Sequence, residues 1–129
     1  MPSNDTTSIS DWFNAFYAVS DDGTAHEKYP DFFAPDAKLI MGDKVAVGRD
    51  EILTIRKNMW SAVSSRRHTY TYFTSSEVPN TYTLIGQVKY GFEDGTEGEK
   101  DWVAKAEFEG EGDERRMVFY QVFLNAGKR

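Results

Sequence analysis

The chain has 129 residues, a mass of 14.7 kDa and no cysteine, so one domain with its own core is expected and disulfides, thiolate nucleophiles and thiolate metal sites are excluded. Apolar residues make up 40% and aromatic residues 15% against 28% charged, which is too aromatic for disorder and too broken by charge for a membrane span. A formal charge of −6 disfavours a nucleic-acid partner, because basic residues cluster only weakly, as at Arg66-Arg67, Arg115-Arg116 and Lys128-Arg129.

Residues 1–7 are polar, lack the apolar stretch of a signal peptide and read as a loose tail before a single domain over 8–129; a cytoplasmic protein is the expectation. From Ser8 to Ser20, Ile9, Trp12, Phe13, Phe16 and Tyr17 recur at helical spacing, and Asp21-Asp22-Gly23 ends the run. Thr24 to Glu27 has the form of a capping box opening a short second helix with Tyr29, Phe32 and Phe33, limited by Pro30. Lys38 to Met41 and Val45 to Val47 are brief strand-like runs around Gly42-Asp43. A third helix is predicted from about Arg49, with Ile52, Ile55, Met59 and Val63 inward and Asp50 and Glu51 favouring its start. The texture then changes to period 2. Arg67 to Ser75, Tyr82 to Phe92, Gly98 to Glu109 and Arg115 to Leu124 read as four strands, with Asp94-Gly95 a strong hairpin signal. Helices first and sequential hairpins second give an α+β fold with a mainly antiparallel sheet and the helices on one face.

Two histidines invite attention. His26 sits inside the capping-box segment beside Glu27 and Lys28, where an exposed helix residue is the simpler reading; it lacks the second histidine of a zinc helix, and no other metal-ligand set is visible. His68 shares a strand face with Tyr70 and Tyr72. Imidazole is the side chain best matched to moving protons near neutral pH, so His68 is the stronger chemical candidate. Against it stands the plainer reading of a hydrogen-bonded surface or interface residue.

The order of elements resembles the cone-shaped fold of the nuclear-transport-factor-like superfamily, and within it the SnoaL-like proteins, including small fungal members. The residues that carry this are Phe32-Phe33-Ala34-Pro35-Asp36-Ala37, Val47-Gly48-Arg49-Asp50-Glu51-Ile52, Arg67-His68 and Phe119-Tyr120-Gln121-Val122-Phe123. The resemblance implies three N-terminal helices packed in the concave face of a strongly curved sheet, an apolar pocket open at one end, and pairing of two copies through the outer sheet face. It also implies a cofactor-independent isomerase, cyclase or lyase of secondary metabolism, or a non-catalytic binding or dimeric module, since this fold hosts both.

Scytalone-dehydratase-like members carry a catalytic histidine at the place of His68, oriented by an aspartate from the end of the first helix. Asp22 aligns with that aspartate when the Phe33-Ala34-Pro35 segments are matched, with Asp21 the one-residue alternative. A carboxylate on one ring nitrogen fixes the tautomer and raises the basicity of the other. The chain also departs from these relatives. Met41 stands where steroid isomerases carry a general-base aspartate, and Tyr90 occupies the region of the dehydratases' second histidine. Tyr17, Met41, Trp60, Tyr90, Trp102 and Tyr120 are the expected pocket walls, suited to an apolar, polycyclic or polyketide-like ligand. Asp101 is expected outside, because Trp102, Ala104, Ala106 and Phe108 form the more apolar face of its strand. An apolar cavity of roughly 300 Å³ or more holding His68 and a carboxylate is the arrangement that would favour an enzyme.

Overall fold

The structure, a computed structural model, describes residues 8–124; the expected tail at 1–7 and the Lys128-Arg129 pair lie outside the described residues. Helix α1 (Ile9–Ser20) starts where the Ser8 side chain accepts the Asp11 N–H at 3.1 Å, and its 3.6-residue period buries Trp12, Phe13, Phe16 and Tyr17 together. The second predicted helix is a 3₁₀ segment, His26–Phe32, with Pro30 inside it. Its capping box does not form. Thr24 instead donates to Asp22 Oδ1 through its N–H at 2.9 Å and its hydroxyl at 2.7 Å, which closes a local turn.

Strand β1 (Phe33–Met41) begins five residues before the predicted run, taking Phe33 out of the helix. The tight turn after it carries Gly42 at φ +64° and leads into β2 (Lys44–Val47). Helix α2 (Arg49–Met59) has Asp50 and Glu51 in its first turn and Arg56 and Lys57 in its last, the charge order that its dipole favours. It stops before Val63, which opens β3 (Val63–Thr74). Then follow β4 (Thr81–Phe92), β5 (Glu97–Glu109) and β6 (Arg116–Leu124).

Among the described residues, one sheet contains six strands in the order β2-β1-β6-β5-β4-β3. The pairing of β1 with β6 is parallel and the rest are antiparallel, so the last strand lies near the middle. The helices and the 3₁₀ segment cover one face, the α+β layering expected. On β5, Trp102, Ala104, Ala106 and Phe108 are buried while Asp101 is exposed and accepts from Gln87 Nε2 at 3.1 Å. The other face carries Ile85, Val103 and Phe123 side by side in register across β4, β5 and β6, each between 42% and 54% exposed.

A buried arginine joins the helices. Arg56 of α2 is 0% exposed and donates from Nη1 to Ser20 O at 2.8 Å, from Nη2 to Asp22 O at 2.5 Å and from Nε to His26 Nδ1 at 3.0 Å. Its guanidinium stacks on Tyr29 and Trp60, 5.2 and 5.4 Å from their ring centroids. It thus caps the carbonyl end of α1, where partial negative charge gathers. His26 is half-buried rather than exposed, and its Nδ1 must keep a lone pair to accept from Arg56.

Burial, with Arg56 and Lys57 nearby, lowers the His26 pKa from 6.5. A depressed histidine pKa means the unfolded chain binds more protons, so this contribution is intact above pH 6.5 and is lost as pH falls toward the lower folded value. Wild type should therefore lose stability relative to His26→Gln between about pH 7 and pH 5, read from urea midpoints. Parallel curves would show that His26 carries no such linkage.

Candidate functional site

Helix α1 is stitched to β3 along one stripe. Ser10 and Tyr72 share a hydrogen bond between hydroxyls, and the Tyr70 hydroxyl donates to Asn14 Oδ1. Tyr17 packs against Tyr70 and His68, with ring centroids 4.7 and 5.1 Å apart. Asp21 completes the row. The α1 residues are spaced 4, 3 and 4 apart, one helical face, and meet β3 residues spaced by two on its inner face. The stripe fixes α1 over the edge strand and sets the reach of Asp21.

The Asp21 carboxylate holds His68 twice. Oδ2 accepts the His68 backbone N–H at 3.0 Å, and Oδ1 lies 2.5 Å from Nδ1. A carboxylate only accepts, so Nδ1 carries the proton and Nε2 keeps the basic lone pair. The two side chains are 17% and 23% exposed. Asp22 does not reach His68: its carboxylate is exposed and committed to Thr24, which lowers its pKa. The one-residue alternative, Asp21, is the residue that pairs, because it keeps helical geometry at φ −88°, ψ −3° and so stays on the stripe.

His68 stands between two hollows. Inside is a cavity of about 130 Å³, walled by His68 with Tyr17, Met41, Tyr90, Trp102 and Tyr120 among others. Outside is an open cleft of about 1020 Å³ that shares Tyr17, Arg66, His68 and Tyr90 with the cavity and includes Asp21. The enclosed volume falls below the roughly 300 Å³ anticipated and suits about one aromatic ring. Trp60 does not line it. Its ring packs over Gly23, where an added Cβ would come within 2.8 Å, and it forms a plate between Arg56 and Arg66. Trp102 reaches the cavity wall across a bare stretch of β4: a Cβ on Gly86 would lie 3.0 Å from its ring and 2.0 Å from Thr69 O.

Tyr17 and Tyr120 line the same cavity, and their hydroxyls are 2.7 Å apart. Burial pushes both pKa values well above the ordinary 10, so both stay protonated; one hydroxyl donates to the other, and the pair keeps one O–H to give to an oxygen that gains charge. Arg56 and Arg66 also border the cavity, and neither is among the pocket residues expected from the sequence. The signal for Arg56 is its place in the run Ile52, Ile55, Arg56, Met59, which occupies one helical face. Arg66 alternates with His68, so it shares the strand face of the histidine. Among the described residues no group of three or more His, Asp or Glu side chains is placed to hold a metal, and no helix is long and apolar enough to cross a membrane.

No protein-family model and no curated protein matches the sequence. Solved structures do match in fold. An NTF2-like protein of unknown function from Exiguobacterium is 16% identical over 89% of this chain and 98% of its own, with a TM-score of 0.74. A Novosphingobium aromaticivorans protein carrying a provisional scytalone dehydratase assignment is 10% identical over 91% of this chain and 81% of its own, at a TM-score of 0.76. A hexachlorocyclohexane dehydrochlorinase is 16% identical over 94% and 88%, at 0.73. The chain therefore has the NTF2-like α+β fold, the cone-shaped architecture that the sequence resembles.

Proposed function

We propose that the chain is an enzyme that moves a proton on a small apolar ring compound, in the class of isomerisation, dehydration or cyclisation. His68 Nε2 takes the proton from carbon and returns it, Asp21 holds the ring and its tautomer, and the Tyr17–Tyr120 pair donates to the oxygen that gains charge. The observation that carries this reading is the imidazole at the cavity wall, doubly anchored by a carboxylate through its other nitrogen. Structural neighbours described as a dehydratase and a dehydrochlorinase support the general kind. A single ring would occupy the inner cavity, with further rings of a polycyclic or polyketide-like substrate in the open cleft.

The experiment is exchange of the acidic α-protons of 2-tetralone for deuterium in D₂O, followed by proton NMR. Wild type should accelerate exchange above buffer, and His68→Gln should reduce it to the buffer rate. Acceleration that survives in His68→Gln would remove the histidine from the chemistry. A second reading, a non-catalytic apolar pocket, is favoured by the small enclosed volume; quenching of tryptophan fluorescence by 2-tetralone with no exchange would support it.

The same proposal includes a homodimer through the outer sheet face, supported by the register-aligned Ile85, Val103 and Phe123. Val103→Glu places a charge at the centre of that row. It should convert the dimer to a monomer in sedimentation velocity, and an unchanged sedimentation coefficient would place the interface elsewhere.

A further inference from the structure

The cavity wall has an electrostatic imbalance that the proton-transfer reading does not use. Although the chain carries a net −6, the charged side chains that wall the inner cavity, apart from His68, are Arg56 and Arg66, and no carboxylate joins them there. Among the described residues neither arginine has a carboxylate within ion-pair distance; the ion pairs there involve Arg49, Lys57, His68 and Lys105.

The two arginines differ in what they have left to offer. Arg56 gives three of its five N–H groups to the protein, one each from Nε, Nη1 and Nη2. Arg66 gives one hydrogen bond, from Nη2 to Met59 O at 2.7 Å, and is otherwise held by its faces. Trp60 and Tyr90 flank its guanidinium, with ring centroids 5.0 and 5.2 Å away. Flanking rings fix the plane of a guanidinium but leave its N–H edge available, the geometry that receives two oxygens of an anion side by side. Burial also lowers the Arg66 pKa, so its charge is held at a cost that a bound anion would offset.

We infer that Arg66 seats a delocalised oxygen anion, a carboxylate or an enolate of like shape, so that the apolar ring of the natural substrate carries an acidic oxygen group at one end. This rests on the reading of the cavity as the substrate site and adds the chemical class of its occupant. Arg66 and His68 are two residues apart on one strand face, their Cα atoms about 6–7 Å apart along β3, and both side chains line the cavity. The ring would enter the cavity between them, and the aromatic walls account for the apolar part. Arg66 is thus a specificity determinant and His68 the proton carrier.

Binding of phenylacetate and of its neutral isostere phenylacetamide, measured by calorimetry and by tryptophan fluorescence, tests this directly. Wild type should prefer the acid by about tenfold or more, the size expected of a charge-assisted pair. Arg66→Gln should cut that preference to about twofold or less while the amide binds as before. Arg66→Lys keeps the charge without the fork and should retain a weaker preference; it also serves if the Gln variant fails to fold. Lys38→Gln removes the same charge from an exposed residue of β1 that lines neither hollow and should leave the preference intact. Equal affinity of wild type for acid and amide would overturn the inference, as would equal losses in Arg66→Gln and Lys38→Gln. So would a preference lost in His68→Gln but kept in Arg66→Gln, because the anion would then lie on the imidazole. An Arg66-dependent preference without any proton exchange would leave this inference standing while the enzymatic reading fell.

Discussion

Asp21→Asn should lower the rate of α-proton exchange in 2-tetralone by about 10²–10⁴-fold, whereas Asp22→Asn should leave it within about twofold. The asymmetry follows from what each carboxylate touches. Both oxygens of Asp21 accept, one from the His68 backbone N–H and one from Nδ1. An asparagine has one acceptor oxygen and an NH₂, so it can satisfy only one of these two donors. If its oxygen faces the backbone, its NH₂ meets the ring, Nδ1 must become the acceptor, and the proton moves to Nε2. The atom proposed to act as base is then occupied. If its oxygen faces the ring, two N–H groups confront each other at the backbone and the anchor opens. Asp22, by contrast, braces Thr24 in an exposed turn. An Asp21→Asn variant with the wild-type rate would show that the carboxylate does not orient the base.

Arg56→Met should cost about 3–5 kcal/mol of folding stability, or about 10–20 °C in Tm for a domain of this size. Methionine fills much of the aliphatic volume but leaves Ser20 O, Asp22 O and His26 Nδ1 without the donor that now satisfies all three. It also strips positive charge from the carbonyl end of α1, the end at which Asp21 holds its negative charge. Arg56→Lys should recover part of the loss, since one ammonium cannot span three acceptors in a plane. Differential scanning calorimetry of the three proteins checks the order. A methionine variant melting within about 3 °C of wild type would mean that the guanidinium contributes little to holding the helices.

The elements with a regular period were legible in the sequence. Trp12, Phe13, Phe16 and Tyr17 define α1 by spacing alone, and the alternation of β5 places Trp102 inward and Asp101 outward. Strand β1 was read short because Ala34-Pro35-Asp36 breaks the alternation. Its first residues pair with β6, more than eighty residues away, through a register that shifts between Phe33 and Lys38, and no local pattern encodes such a partner. The exchange of Asp22 for Asp21 is a phase error. Counting from Ser10, Asn14 and Tyr17 at intervals of 4 and 3, the next residue on that stripe is Asp21, while Asp22 falls about 100° around the helix. The burial of Arg56 is hidden in the sequence because charge ordinarily marks the solvent side, although its spacing puts it among Ile52, Ile55 and Met59. Trp60 was assigned to the cavity by residue type, and the end of α2 at Met59 turned it onto Gly23 instead.

The central place of β6 has a consequence for how the molecule comes into being. Tyr120 and Val122, which wall the cavity, lie opposite Leu39 and Met41 of β1 on one side and Ala106 and Ala104 of β5 on the other. Until β6 is inserted, the first two strands have no strand pairing with the long hairpins, and the cavity lacks two of its wall residues. A chain emerging from the ribosome can assemble the β3–β5 hairpins early, from neighbours in sequence, but must hold an unclosed, aromatic-rich groove until its final strand is free to dock. Birth of the binding chamber is thus a late, all-at-once event, and the interval before it is when the nascent protein most needs protection from sticking to its neighbours.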